Sequence, residues 1–254
     1  MMRFLSVNFL LTAVFLSVAV PVQAADDHAP FAVIELFTSE GCSSCPPADK
    51  LLSEMVAQSK SNPRIIPLEF HVDYWNYLGW EDPFSSRDFS QRQRRYAQAL
   101  KSSSVYTPQM IINGQTAFGG YRKDKLRESL KKALQTPAEI GVTISGVEHQ
   151  KNTVTVSCGL TDIDRQANLL VAVVERHLST AVPRGENAGR TLPHDNVVRA
   201  FKAVPVNDFT HTVTLSLPQN LKPKNATVVA YLQDRSSMHI LGAAAAPFVS
   251  DQKR

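Results

Sequence analysis

A chain that runs from an apolar strand straight into a Cys-x-x-Cys turn and out along an amphipathic helix has few ways to fold. Phe31 to Phe37 is such a strand, with one charged residue, Glu35, in seven. Thr38 to Gly41 reads as a turn, followed by Cys42-Ser43-Ser44-Cys45-Pro46-Pro47. Ala48, Leu51, Leu52, Met55 and Val56 then recur at helical spacing, which marks one buried helix face. Two cysteines three apart at a helix start can approach within bonding distance and cycle between dithiol and disulfide. The unpaired N–H groups there also favour a thiolate. Cys42 is therefore expected to be the exposed attacking sulfur and Cys45 the resolving one.

The same spacing can form half of a zinc site. The remaining cysteine is Cys158, so a four-cysteine site within one chain is excluded. Cys158 lies in an alternating strand-like run and reads as a buried, inert thiol. His71, near the same end of the sheet, offers two further readings. His71 or Asp73 could transfer protons, or His71 could join Cys42 and Cys45 around Cu(I), which soft thiolates with imidazole suit. The plainer reading is that His71 ends a strand while Trp75 and Trp80 fill the underside of a loop.

Further along, Ile65 to Phe70 is a second strand, Ser86 to Lys101 a helix with a basic outer face, and Leu126, Leu130 and Leu134 mark another helix. Asn113-Gly114 between two short apolar runs is the strongest local signal for a hairpin. This β-α-β-α-β-β-α order ends near Gln135, with Thr136-Pro137 as a linker. Beyond it helical periodicity stops. Seven strand-like runs, from Ile140 to Ala244, alternate apolar and polar residues and suggest a two-sheet sandwich. The segment Leu178 to Asp195 has no clear element. It either folds against the first domain near the cysteine pair and shapes a substrate groove, since loops this long are often functional, or is a self-packed surface loop held by Arg–Glu pairs.

Two motifs narrow the reading. Tyr106-Thr107-Pro108 precedes the hairpin, which resembles the thioredoxin fold, in which a cis-proline faces the Cys-x-x-Cys. That resemblance implies a cis Thr107–Pro108 bond and a Thr107 backbone able to pair with an incoming peptide. Phe37-Thr38-Ser39-Glu40-Gly41-Cys42-Ser43-Ser44-Cys45-Pro46-Pro47-Ala48-Asp49 is similar to the signature of a family of secreted bacterial thioredoxin-like proteins of unknown function. Arg184-Gly185-Glu186-Asn187-Ala188-Gly189-Arg190 through Arg199 is similar to the same family. The resemblance spans about residues 31 to 248 and implies fold and export more than chemistry. Unlike an ordinary thioredoxin, the chain has Gly41 rather than tryptophan before the first cysteine, and Glu40 would oppose thiolate formation.

The expected architecture is an α/β thioredoxin-like domain (31–135) followed by an all-β sandwich (138–249). Residues 1–24 are expected to be a cleaved signal peptide, with Arg3, an apolar core at Leu10 to Val20 and a small-x-small site at Val22-Gln23-Ala24. That apolar run is too short for a bilayer span. Export would place the protein in the periplasm or outside, where cysteines can oxidise. The expected function is thiol–disulfide exchange with a protein or small-molecule disulfide or thiol. Cys42, Cys45 and Pro108 are the expected catalytic residues, and Tyr106, Thr107 and Glu40 the substrate-facing ones. No organic cofactor is implied and no metal ligand set is assigned. The alternatives are a non-enzymatic envelope module with a structural disulfide, and a Cu(I) carrier. Charge is mildly basic at +4, too little to argue for nucleic acid. No stable membrane span is expected after processing, and a homodimer is compatible with the sequence.

Overall fold

The computed structural model describes residues 28–164 and 166–248; the expected signal peptide, 1–24, lies outside the described residues. The apolar run becomes strand β1 (Ala32–Thr38), buried along its whole length. Helix α1 (Pro46–Ser59) follows with Pro46 and Pro47 in its first positions, where the missing N–H groups cost nothing. Strand β2 (Ile65–His71) leads to helix α2 (Arg87–Ala99), whose N-cap Ser86 accepts from the Asp88 N–H. Strands β3 (Gln109–Ile112) and β4 (Thr116–Gly119) are joined at Asn113-Gly114, both with positive φ (48° and 69°), as a tight hairpin requires. Helix α3 (Lys123–Ala133) closes this half.

The remaining strands are β5 (Val142–Gln150), β6 (Thr153–Leu160), β7 (Ala167–Glu175), β8 (Leu178–Val182), β9 (Arg190–His194), β10 (Val197–Pro205), β11 (Thr210–Ser216), β12 (Ala226–Asp234) and β13 (Ile240–Pro247). Their arrangement overturns the expected α/β thioredoxin-like domain plus separate sandwich. Eight strands from both halves form one mixed sheet, in the order β13-β12-β7-β10-β2-β1-β3-β4. The described residues are mostly sheet, with three short α-helices.

The join is made at β2 and β10. Val197 pairs with Glu69 in parallel, the Glu69 N–H donates to the Asn196 carbonyl at 2.9 Å, and Asn196 Nδ2 donates to the Pro67 carbonyl at 2.9 Å. The expected linker, Thr136-Pro137, is exposed, and the chain packs directly after it. Ala138 and Ile140 are buried, and the Ile140 carbonyl passes so close to Gly242 that a Cβ there would lie 1.8 Å from it.

Three apolar clusters cover the sheet. Alternation along β1 sends Ile34 and Leu36 toward α1 and α3, with Leu52 and Leu126. It sends Val33 and Phe37 to the other face, where Phe89 and Tyr96 of α2 lie with Leu170, Val174 and Tyr231 of the C-terminal half. A small sheet, β11-β6-β5, packs on the remaining face of β7 and β12 through Val156, Val171, Val213 and Val228. Both faces of β7 are thus buried, which accounts for its nearly unbroken apolar sequence. A buried ion pair also ties the halves together: Arg92 of α2 donates to Glu35 of β1 at 2.9 and 3.0 Å and, across the join, to Gln233 of β12 at 3.0 Å.

Candidate functional site

The C-terminal end of β1 aims the chain at the cysteine turn. The Cys42 N–H donates to the Ser39 carbonyl at 3.1 Å, and the Cys45 N–H to the Cys42 carbonyl at 3.2 Å. Cys45 is the N-cap residue of α1, and the Ala48 and Asp49 N–H groups both donate to its carbonyl. The two cysteines are joined in a disulfide, with Cα atoms 5.5 Å apart. Ser43 and Ser44 are exposed, but Cys42 is 1% and Cys45 0% exposed. The expected exposed attacking sulfur is therefore covered in this state.

The segment Leu178 to Asp195 docks on the main chain of the cysteine turn. It is a hairpin, β8–β9, not a structureless loop. Its connecting turn, with Gly185 and Gly189 at positive φ, reaches the main chain of residues 40–43. Asn187 Nδ2 donates to the carbonyls of Glu40 (2.8 Å) and Cys42 (2.9 Å). Arg190 in turn donates to Asn187 Oδ1 at 2.7 Å. Outside this core of the latch, the exposed Glu186 carboxylate accepts from the Ser43 N–H at 2.9 Å, which holds its pKa below the ordinary value.

The other expected site residues lie around this turn. A Cβ on Gly41 would sit 3.0 Å from the Trp75 Cβ, and Trp75 Nε1 donates to Thr107 Oγ1 at 2.7 Å. The Thr107–Pro108 bond is cis. Pro108 is buried and flanks Gly120 together with Ala48 of the first turn of α1. Tyr106 is partly exposed, and its carbonyl accepts from Gln93 at 2.8 Å. Glu40 does not face solvent: it is fully buried, and its Oε2 accepts from Trp80 Nε1 at 2.8 Å.

Glu40 belongs instead to a buried acid–histidine cluster behind the turn. The Glu40 N–H donates to Asp82 Oδ2 at 2.9 Å, and the same oxygen lies 2.7 Å from His71 Nδ1. His194 Nδ1 lies 2.8 Å from Glu69 Oε1. Burial works against charging His71, but the Asp82 carboxylate outweighs it and lifts the pKa to about 10. His194 is lifted in the same way, chiefly by Glu69. Burial would raise Glu69 and Asp82, yet the facing imidazoles hold both below the ordinary carboxylate range. Asp49, one turn past Cys45, goes the other way. Burial and the nearby Glu69 charge push it up to about 7, although Thr38 Oγ1 donates to it at 2.6 Å.

Sequence reasoning assigned none of Asp49, Glu69 and Asp82, and placed His194 only in a loop. Glu69, His71 and His194 are the set among the described residues whose ligand atoms lie within 4.8 Å of one another. The set contains no cysteine; His71 meets Asp82 and Glu69 instead. Cys158 is buried, and burial pushes its thiol up to about 11, as expected of an inert thiol.

The fold and site together define a sheet-dominated protein that carries a covered Cys-x-x-Cys disulfide above a buried acid–histidine cluster. The chain belongs to the family described as protein of unknown function (DUF1223), whose model matches residues 33–233. The solved structure of protein AGR_C_4864 from Agrobacterium tumefaciens is similar, at 30% identity over 89% of this chain and 98% of that one, with a TM-score of 0.63. HBP35 of Porphyromonas gingivalis is similar in fold, at 15% identity over 89% of this chain and 80% of that one, also with a TM-score of 0.63. No curated protein matches the chain.

Proposed function

We propose that the protein is an exported thiol–disulfide oxidoreductase whose exchange centre is the Cys42–Cys45 pair. The observation that carries this is a disulfide at the start of α1 whose turn is hydrogen-bonded by Asn187 and Glu186 of a separate hairpin. Such a bond closes a four-residue loop. Chain entropy gives it about 2 kcal/mol of stabilisation, against about 4.7 kcal/mol for a 100-residue loop. As a staple it does little, and its placement suits exchange better.

In the reduced protein the Cys42 thiolate attacks one sulfur of a substrate disulfide. A Cys42–substrate bond forms and the second substrate sulfur leaves as a thiolate. The Cys45 thiolate then attacks the Cys42 sulfur, closes Cys42–Cys45 and releases the first substrate sulfur. The protein loses two electrons and two protons and the substrate gains them; run backwards, the same steps oxidise a substrate dithiol. Both directions need the Glu186–Asn187 turn to lift off the pair. The Thr107 main-chain N–H and C=O have no hydrogen-bond partner among the described residues, which supports that residue as a docking point for an extended substrate. The apolar leader at residues 1–24 supports export to the periplasm or beyond.

Equilibration in glutathione buffers tests the reading. The pair should titrate reversibly, Cys42→Ser should abolish exchange, and Cys45→Ser should accumulate mixed disulfide. The burial of Cys42 favours a second reading, a binding module with a permanent disulfide. A bond that stays oxidised in every glutathione buffer would establish that reading and remove the first.

A further inference from the structure

His71 and His194 face each other with ring centroids 4.7 Å apart and planes at 75°. Each has its Nδ1 committed to a carboxylate, Asp82 for one and Glu69 for the other. A carboxylate on Nδ1 fixes the ring and leaves Nε2 as the free donor, the second-shell pattern of histidines that bind metals. Both Nε2 atoms are buried without a hydrogen-bond partner, and so is Glu40 Oε1. Buried polar atoms are rarely left unpaired, and three in one cluster call for an explanation.

The spacing supplies one. His194 Nε2 lies 3.4 Å from Glu40 Oε1, and His71 Nε2 lies 3.5 Å from Glu69 Oε1. Both contacts are too long for good hydrogen bonds. They match the edge of a tetrahedron around an ion bound at about 2.0–2.1 Å, which is roughly 3.3–3.4 Å. All four side chains are fully buried. Imidazole with carboxylate suits zinc and neighbouring divalent transition metals rather than calcium or magnesium.

We propose that Glu69, His71 and His194, whose ligand atoms lie within 4.8 Å of one another, form with Glu40, on the His194 side, a buried site for one divalent transition-metal ion. Asp82 is a positioning residue that orients His71. The Glu40 Oε2 bond to Trp80 does the same for the Glu40 carboxylate, leaving Oε1 turned to His194. The site shares the Glu40 end of the cysteine turn but uses neither sulfur.

The test is zinc retention by the full exported chain, stripped with chelator, refolded with Zn(II) and freed of unbound metal. One zinc per chain is expected in the natural sequence and in the Cys42→Ser/Cys45→Ser double variant, which separates this site from thiol chemistry. His71→Ala and His194→Ala should lose it. Since these could unfold the chain, Glu40→Gln, nearly isosteric and able to accept from Trp80, provides a folded variant and should bind at least tenfold more weakly. Asp82→Asn should weaken binding about 10–100-fold. With Co(II) in place of zinc, the visible spectrum should lack thiolate charge-transfer bands. A natural chain that keeps no zinc, a cysteine variant that loses it, or a folded Glu40→Gln chain that binds as tightly as the natural one overturns the proposal.

Discussion

Removing the Asn187 side chain should speed reduction of the Cys42–Cys45 disulfide by about 30-fold. In the closed state its amide donates to two main-chain carbonyls, those of Glu40 and Cys42, and is itself 0% exposed. Each such hydrogen bond contributes about 1 kcal/mol net. Asn187→Ala therefore weakens the closed state by about 2 kcal/mol, and more to the extent that the two carbonyls stay buried and unpaired. At 1.4 kcal/mol per factor of ten, local opening becomes about 30 times more populated. When reclosing outpaces the reagent, the reduction rate follows that population. The assay is reduction by dithiothreitol under native conditions, quenched by alkylation and read by mass. Asn187→Asp keeps the size but loses both donors and should behave alike. Glu186→Gln should act weakly, because its contact is exposed. Reduction at the natural rate by a folded Asn187→Ala chain would refute the idea that this hairpin gates the pair.

Asp49 gives a pH-dependent stability with an unusual sign. Its folded pKa of about 7 lies above the unfolded value near 3.8. Between these values the native chain holds a proton that the unfolded chain has released, so this residue's contribution falls as pH rises from about 4 through 7. Urea denaturation should find Asp49→Asn more stable than the natural chain at pH 8, with the gain fading toward pH 4; a constant gain would contradict the assignment. Arg92→Leu should cost about 3–5 kcal/mol, since it strands the buried Glu35 charge, and chemical denaturation measures this directly. Because one sheet carries strands of both halves, calorimetry should show a single cooperative transition; two separable transitions would restore the two-domain picture.

How much of this was legible in the sequence follows from the range of the interactions. Cys42, Cys45, the α1 face and the Asn113-Gly114 turn are set by neighbours within a few residues, and period and turn chemistry report such features well. The join of the two halves rests on one strand edge. Pro67 has no N–H to offer along β2, and proline inside a strand ordinarily marks an outer edge. Here one main-chain pairing, Val197 with Glu69, and the Asn196 side chain make the connection, which no periodicity reports. The change of pattern after Gln135 is real, but it marks a change of covering layer rather than a domain boundary: helices pack on one part of the sheet and a second sheet on another. Leu178 to Asp195 concealed its two strands because Pro193 and two glycines interrupt any alternation. The acid–histidine cluster was hidden for a further reason. Glu40, Glu69, Asp82 and His194 are separated by tens to more than a hundred residues, so no ligand spacing exists to read. His71 does end a strand near the cysteines, but that placement names none of the carboxylates it meets.

One hairpin serves both features, and this couples them. Asn187, which binds the cysteine turn, and His194, whose Nε2 faces Glu40, lie at the two ends of β9. If the hairpin lifts as a unit, opening the latch withdraws His194 from the cluster. A metal ion held there must then oppose opening. At a free zinc concentration 100 times the dissociation constant, linkage stabilises the bound state by about 2.7 kcal/mol. Reduction of the disulfide should slow by up to about 100-fold, and Glu40→Gln should blunt the effect. A rate that zinc leaves unchanged, in a chain shown to bind it, would mean that the turn peels back alone at Gly185 and Gly189 while β9 stays in place. The coupling therefore locates the hinge: it is strong when the moving unit includes His194 and absent when it ends before Arg190.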